Sequence, residues 1–321
     1  MNINIERKSF SFKLTSVVNT SKNKILYKHG WIIKLKNDNN NFGYGEISPI
    51  SQIDLKICED QINKIININK ENDLIENIRK FHPCIQSALN SAIAEMNGEL
   101  KFKDIQAFKE IYESAILVNS NTILKELNLI KENKLLRNKK LTLKWKVAIN
   151  DNQIEEKILE KILSEISDNI KIRIDANGSW NRKIAHRWAN IIADSAHLDW
   201  LEQPLSTHDI EGLNKLNEKI PVAIDESLMK YPELIKLWEG WQIRRPSQES
   251  NPILLFEELR NKVAFRSIST SFETGIGSRL LHHFASLQLK GPTPKVPGLA
   301  LSQIPKTILF SDNVNQIWEI L

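Results

Sequence analysis

The stretch LTLKWKVAIN, residues 141–150, decides the reading of this chain. Lys144 and Lys146 stand two apart in a run whose other members, Leu141, Leu143, Trp145 and Val147, are apolar. On a strand, positions i and i+2 share a face, so both ammonium groups point one way and the apolar set packs the other. Taken alone, the pair also fits an ordinary solvent-facing strand face.

Working outward, three later segments each end a strand pattern on an acid: KIRIDAN on Asp175, LDWLEQP on Glu202 and VAIDES on Asp225. Alternation puts Asp175 on the face of Arg173 and Asn177, Glu202 with Trp200, and Asp225 with Ala223. Each acid is followed closely by a turn-type residue such as Gly178, Pro204 or Ser227. Parallel strands bring their C-terminal ends to one rim, where three carboxylates from successive strands can converge. Hard oxygen ligands with room for water suit Mg2+ or Mn2+ better than zinc. Beside such a cation, a lysine whose pKa is lowered by its cationic neighbours can take a proton while the metal stabilises an enediolate.

The Lys-x-Lys strand, IDAN, LEQP and IDES, in this order and rough spacing, resemble the enolase superfamily, which pairs a lysine or histidine base with magnesium. Within it the chain looks most like the muconate-lactonizing-like subgroup, and there like the o-succinylbenzoate-forming dehydratases of menaquinone and phylloquinone biosynthesis. The segments GYGEISPI and SISTSFETGIGS extend the likeness. The resemblance implies an α/β fold, a modified (β/α)7β TIM barrel with an N-terminal α+β capping domain. It also implies a small-molecule substrate, Mg2+ as cofactor (Mn2+ also suiting the ligand set), and Asp175, Glu202 and Asp225 as metal ligands.

Regular strand–helix alternation from Ala115 onward independently favours a closed barrel of parallel strands, expected at 115–119, 141–150, 170–177, 198–204, 222–227, 241–246 and 267–272. Residues 1 to about 50 read as a β-meander turning at NDNNN (Asn37–Asn41), followed by helices to about Leu100 with a small-residue face at Ala88 and Ala92. We divide the chain into a capping unit, 1–112, a barrel, 113–291, and a tail, 292–321, that returns to the capping unit. The region Thr20–His29 is the segment expected, by the resemblance, to close over substrate.

One departure from the family pattern bears on the reaction. Where the resemblance places a lysine before a proline, this chain has Arg245-Pro246. Arginine is effectively never deprotonated and cannot act as a base, although it can hold a carboxylate or stabilise an anion. A racemase needs a base on each face of the substrate carbon, whereas an elimination from one face needs a single acid/base group. The expectation is therefore a dehydratase with Lys146 as acid/base, Lys144 tuning it and Arg245 as a fixed cation. An N-acylamino acid or dipeptide racemase and a catalytically silent metal-binding barrel are the alternatives.

Late in the chain Ser269, Ser271 and Glu273 share a face, and Gly275-Ile276-Gly277 opens a helix whose free N–H groups suit a carboxylate; an ordinary strand-to-helix turn fits as well. With Asn177, the residues Ser269, Ser271 and Gly275 are the expected substrate contacts. Trp180 is placed near enough to the rim to touch ligand. The histidines, His82 among them, show no ligand spacing with one another, and Cys58 and Cys84 form no metal-type or redox pair. The 44 basic residues are interspersed with 39 acidic ones, so the net charge gives no nucleic-acid face. No apolar run approaches a membrane span, and MNINIERKSF lacks a signal-peptide core. A cytoplasmic enzyme is expected, with no membrane or nucleic-acid partner and monomer or homo-oligomer left open.

Overall fold

The computed structural model describes residues 1–19, 21, 24–102, 113–136 and 138–321. Three antiparallel strands come first: β1 (Ile3–Asn19), β2 (Lys24–Asn37) and β3 (Phe42–Ile47), in the order β1-β2-β3. The Asn-rich turn forms because Asn37 accepts through its side-chain oxygen from the N–H groups of Asn39 and Asn41, each at 3.0 Å. Asn40 takes φ 61°, a left-handed conformation that asparagine tolerates.

Three helices cover this sheet: α1 (Gln52–Ile65), α2 (Glu71–Asn77) and α3 (Pro83–Met96). Helix α3 lies directly on β3. A Cβ at Gly45 would meet the Ala88 carbonyl oxygen at 1.9 Å, and one at Gly43 the Ala92 oxygen at 2.0 Å. The small face at Ala88 and Ala92 thus brings helix backbone against strand backbone, and only glycine fits opposite it. Ile33, Leu35, Ile62, Ile85 and Leu89 fill the core around this contact.

The second layer is a parallel sheet of seven strands in chain order: β4 (Ile116–Asn119), β5 (Leu141–Lys146), β6 (Ile170–Asp175), β7 (Leu198–Glu202), β8 (Val222–Ile224), β9 (Trp241–Arg244) and β10 (Arg266–Ile268). Its outward face carries the apolar alternation, with Leu143, Trp145, Ile172, Ile174, Leu201 and Ile224 fully buried. They pack against the intervening helices through residues such as Leu127, Leu159, Ile162, Trp188 and Leu213. Several strands are shorter than their sequence patterns. Ala148 (φ 60°), Asn177 (φ 48°) and Gln203 (φ 36°) turn left-handed just beyond β5, β6 and β7, which ends the ladder at the rim. Strained backbone of this kind clusters where a fold builds a site.

The two edges of the sheet are joined by the tail. Gly298 donates to Ile268 O at 2.8 Å and accepts from Thr270 N at 3.0 Å, while Ala115 N donates to Pro297 O at 3.0 Å. The segment around Gly298 therefore occupies an eighth strand position between β10 and β4. Beyond it the chain does reach the N-terminal sheet. The helix Val314–Ile320 buries Ile317 and Trp318 with Phe10, Phe12 and Tyr44, and Lys8 Nζ donates to Trp318 O at 2.7 Å. Among the described residues no helix is long and apolar enough to cross a membrane.

Candidate active site at the barrel rim

The inside of the barrel is layered. Its floor is apolar and aromatic: Trp200 and Trp241 stack with centroids 4.8 Å apart, beside Ala223 and Ile243. Arg173 lies over Trp200 at 4.0 Å and donates to Asp199 at 3.1 Å. One layer up, the ladder aligns Lys146 with Asp175, Asp175 with Glu202, and Glu202 with Ala223, so that Asp225 follows two residues on. Period-two alternation thus delivers the lysines and acids to one rim.

There they form a compact charge lattice. Lys144 Nζ donates to Glu202 Oε1 at 2.5 Å and lies 2.9 Å from Asp175 Oδ2. Lys146 Nζ donates to the same Asp175 oxygen at 2.5 Å and to Asn177 Oδ1 at 3.1 Å. Arg245 grips Asp225 with a two-pronged pair, 2.9 and 2.6 Å, and also donates to Thr270 O. Burial by itself would raise Asp175, but the Lys144 and Lys146 ammonium groups outweigh it and hold its pKa below the carboxylate range. Glu202 goes the other way: burial first, then repulsion from Asp175, pushes it up to about 7.

Burial would depress the Lys144 ammonium, yet the Asp175 and Glu202 carboxylates override it and hold its pKa above the ordinary lysine value. Arg245 lines the cavity as a fixed cation bound to Asp225, because a buried carboxylate takes the nearest fixed cation as its counter-charge.

The sequence patterns missed two contributors. Glu226, next to Asp225, accepts from Asn177 Nδ2 at 2.8 Å, while its Oε2 is buried without a hydrogen-bond partner. Burial, then Asp225 and Asp175, raise its pKa. Gln203 is fully buried; its Oε1 accepts from the N–H groups of Asp225 and Ser227, and its Nε2 donates to Leu205 O and Ser227 Oγ. It locks the end of β7 to that of β8 and so positions Asp225. A glutamine after an acid carries no pattern of its own; its left-handed φ is visible only in the fold. Lys28, almost fully buried, donates to Ser48 O and Pro49 O at 2.9 and 2.5 Å, and burial lowers its pKa to about 8.

A donor set of Asp175, Glu202, Asp225 and Glu226, all oxygen, fits Mg2+. One oxygen is unpartnered, and two of the acids are raised by burial and mutual repulsion that a divalent cation relieves. Above the acids opens a cavity of about 260 Å3. Its lining is both charged, with Lys144, Lys146, Asn177, Asp225, Glu226 and Arg245, and apolar, with Val18, Ile25, Leu117, Met229 and Phe272, and includes Ser269 and Thr270.

Ser271 and Gly275 do not line this cavity, contrary to expectation. The helix Gly275–Leu289 does begin on a carboxylate, but the carboxylate is the chain's own. Glu46 accepts from Thr274 N at 2.9 Å, Thr274 Oγ1 at 2.5 Å and Gly277 N at 2.9 Å. Glu273 takes the Ser271 N–H, and a Cβ on Gly275 would collide with Ser311 O at 2.3 Å. Trp180 is likewise turned inward, stacked on Trp188 at 4.6 Å in the outer core. Of the region Thr20–His29, Thr20, Lys22 and Asn23 lie outside the described residues, but Ser21 Oγ donates to Ala176 O at 3.0 Å, at the Asp175 loop.

The Glu46 contact gives a pH prediction. Burial, then Glu273, raises Glu46 to about 7 from 4.5. Its contribution to stability is fully present below 4.5 and lost as pH rises through about 7. Relative to wild type, Glu46→Gln is expected to gain on the order of 2–3 kcal/mol across that window. Denaturant midpoints of both proteins along the window check this; parallel curves would contradict it.

Comparison with known proteins agrees with this geometry. Residues 134–240 match the family model described as "Enolase C-terminal domain-like". The o-succinylbenzoate synthase of Thermosynechococcus vestitus is 24% identical over 227 residues, 67% of this chain and 66% of the relative. The L-Ala-D/L-Glu epimerase of Clostridium acetobutylicum is 25% identical over 228 residues, 65% of this chain and 63% of the relative. In both, then, the match spans slightly less than two thirds of the relative's length. The crystal structure of the o-succinylbenzoate synthase from Thermosynechococcus elongatus BP-1, complexed with Mg in the active site, superposes with a TM-score of 0.73 at 20% identity, covering 99% of this chain and 100% of that one. Residues 134–240 are thus similar to an enolase C-terminal domain, in a chain whose fold matches that of the solved synthase.

Proposed function

We propose that this chain is a Mg2+-dependent dehydratase converting 2-succinyl-6-hydroxy-2,4-cyclohexadiene-1-carboxylate to o-succinylbenzoate and water in menaquinone or phylloquinone biosynthesis. The observation that carries this is Arg245. It stands at the cavity wall, locked onto Asp225, a buried neighbour that raises its pKa further. No proton can be exchanged there at ordinary pH.

Asp175, Glu202 and Asp225, with Glu226 at hand, would hold the cation. It supplies positive charge against the substrate carboxylate when that group gains negative charge. Everything else falls to side chains. Lys146 Nζ, in its neutral form, takes the proton from ring carbon 1; the C–H pair becomes part of the new ring double bond as the C–O bond at carbon 6 breaks. The same Nζ, now protonated, returns that proton to the departing hydroxide, which leaves as water from the same face. Asn177 orients Lys146 through the 3.1 Å contact. Lys144, bound to two carboxylates, supplies fixed charge. The apolar lining, with Phe272, Val18 and Ile25, suits the ring, and Ser269 and Thr270 offer hydroxyls for the succinyl group.

The epimerase relative makes proton transfer at a single carbon the competing reading, and that reaction needs a second base opposite Lys146. Lys28 has the lowered pKa for such a role, but its ammonium is spent on two backbone carbonyls and does not line the cavity. The deciding experiment supplies Mg2+ and the hydroxy-diene acid, and separately an N-acyl amino acid or a dipeptide in deuterium oxide. Turnover of the first without inversion or exchange of the second is expected. Inversion at rates comparable with dehydration would overturn the proposal, and no turnover of either would leave a silent barrel.

A further inference from the structure

Cys58, on α1, and Cys84, near the start of α3, are 26 residues apart, yet the fold brings them together with His82, which caps α3. The two sulfurs and His82 Nδ1 all lie within 4.8 Å of one another, and Cys58 Sγ is 3.5 Å from Nδ1. Around a tetrahedral zinc ion, with Zn–S about 2.3 Å and Zn–N about 2.0 Å, such atoms sit roughly 3.5–3.8 Å apart. The cluster is close to that spacing already. The expectation that neither cysteine lies in a metal-type pair rested on spacing along the chain, which does not encode this proximity.

We propose that Cys58, His82 and Cys84 form a structural zinc site, separate from the acids at the barrel rim. Two further observations support it. His82 Nε2 lies 3.2 Å from Asp54 Oδ1, the carboxylate–imidazole arrangement that fixes a ligating histidine's tautomer and leaves Nδ1 to coordinate. The Nδ1 lone pair accepts the Cys84 N–H at 3.3 Å, a hydrogen bond that coordination to zinc would replace. A candidate fourth donor adjoins Cys84: Gln248 Oε1, from the loop after β9, accepts from Cys84 Sγ at 3.3 Å. Both cysteines are buried, at 0% and 1% exposure. Two thiolates and a divalent ion are neutral together, which such a setting favours over a monovalent ion that would leave net charge. A disulfide would use neither the His82–Asp54 pair nor the Gln248 carbonyl.

Occupancy would tie the capping helices to the barrel. Gln248 Nε2 also donates to Ser48 O at 2.7 Å, and both Gln248 and Asp54 line the cavity of the candidate active site. The inference does not depend on which reaction that site performs.

The test is equilibrium dialysis of chelator-treated protein against Zn2+ with Mg2+ in large excess to fill the oxygen site. One zinc per chain is expected to be retained, and Cd2+ in its place should give an ultraviolet thiolate-to-metal band. Asp54→Asn, which keeps all four donors, should weaken zinc binding about 10–100-fold, and Asp225→Asn should leave the zinc stoichiometry unchanged. The Cys58→Ser/Cys84→Ser variant should lose the ion; if it does not fold, the cadmium band and Asp54→Asn decide. The proposal is overturned by wild type that retains no zinc and shows no band, by a folded serine variant that retains zinc equally, or by a Cys58–Cys84 disulfide forming in air while zinc is refused.

Discussion

Lys146→Ala is expected to lower turnover of the hydroxy-diene acid by at least roughly 10²–10⁴-fold, the worth of one placed proton-transfer group, and by more because the same group serves both proton steps. The geometry separates Lys146 from its neighbour. Lys144 is held between two carboxylates that raise its pKa, so near neutral pH it is a poor base. Lys146 lies one pleat nearer the rim, and its second partner is the neutral Asn177 amide. An ammonium has three N–H donors, so these contacts leave Lys146 a position for substrate. Lys146→Arg keeps the charge beside Asp175 but cannot give up a proton, and it should be as inactive as the alanine variant. Rates measured beside circular dichroism and Mg2+ titration distinguish lost chemistry from lost structure. Activity within about tenfold of wild type, well under one proton-transfer group's contribution, would move the base to another residue.

Asp225→Asn should produce the second large effect, and in two observables at once. Removing one of three carboxylate ligands is expected to weaken Mg2+ binding by at least about 100-fold, beyond the roughly 10–100-fold typical of an outer-shell partner. The same change leaves the Arg245 guanidinium, largely buried, facing a neutral amide. Breaking a buried ion pair from one side costs about 3–5 kcal/mol, with asparagine near the low end because one acceptor oxygen remains. Calorimetric titration with Mg2+ and denaturant midpoints measure the two effects. Arg245→Gln supplies the contrast: it deletes the cation that competes for Asp225, so Mg2+ should bind more tightly. Unchanged Mg2+ affinity in Asp225→Asn would remove that residue from the ligand set.

What the sequence made legible follows from period two. In LTLKWK and KIRID the face of every side chain is set by parity, and parallel strands need no further information to bring Lys144, Lys146 and Asp175 together. The closed sheet was legible for the same reason, from the regular recurrence of apolar strands and amphipathic helices. The misreadings concern partners far apart in the chain. That the helix at Gly275 begins on a carboxylate is local physics, but Glu46, over two hundred residues earlier, supplies it. Gln203, Glu226 and the Cys58–His82–Cys84 cluster belong to this class as well. Each depends on which loops the fold brings to one place, and no spacing within a single segment encodes that. The arginine before Pro246 is plain in the sequence, but its hold on Asp225 is a consequence of burial that side-chain type alone does not reveal.

The segment around Gly298 has a consequence for how the protein is made. It pairs with β10 on one side and reaches Ala115 on the other, while Val296 O accepts from Arg173 at 2.7 Å and Lys295 Nζ donates to Asp199 at 2.5 Å inside the barrel. Until these residues leave the ribosome, β4 and β10 are open edges able to pair with other chains. Closure joins segments about 180 residues apart, the kind of contact whose entropy is spent before it is repaid, and which slows folding. A nascent chain ending before Pro297 should therefore be a sticky, open half-cylinder, and emergence of the segment around Gly298 is the step that converts it into a sealed one.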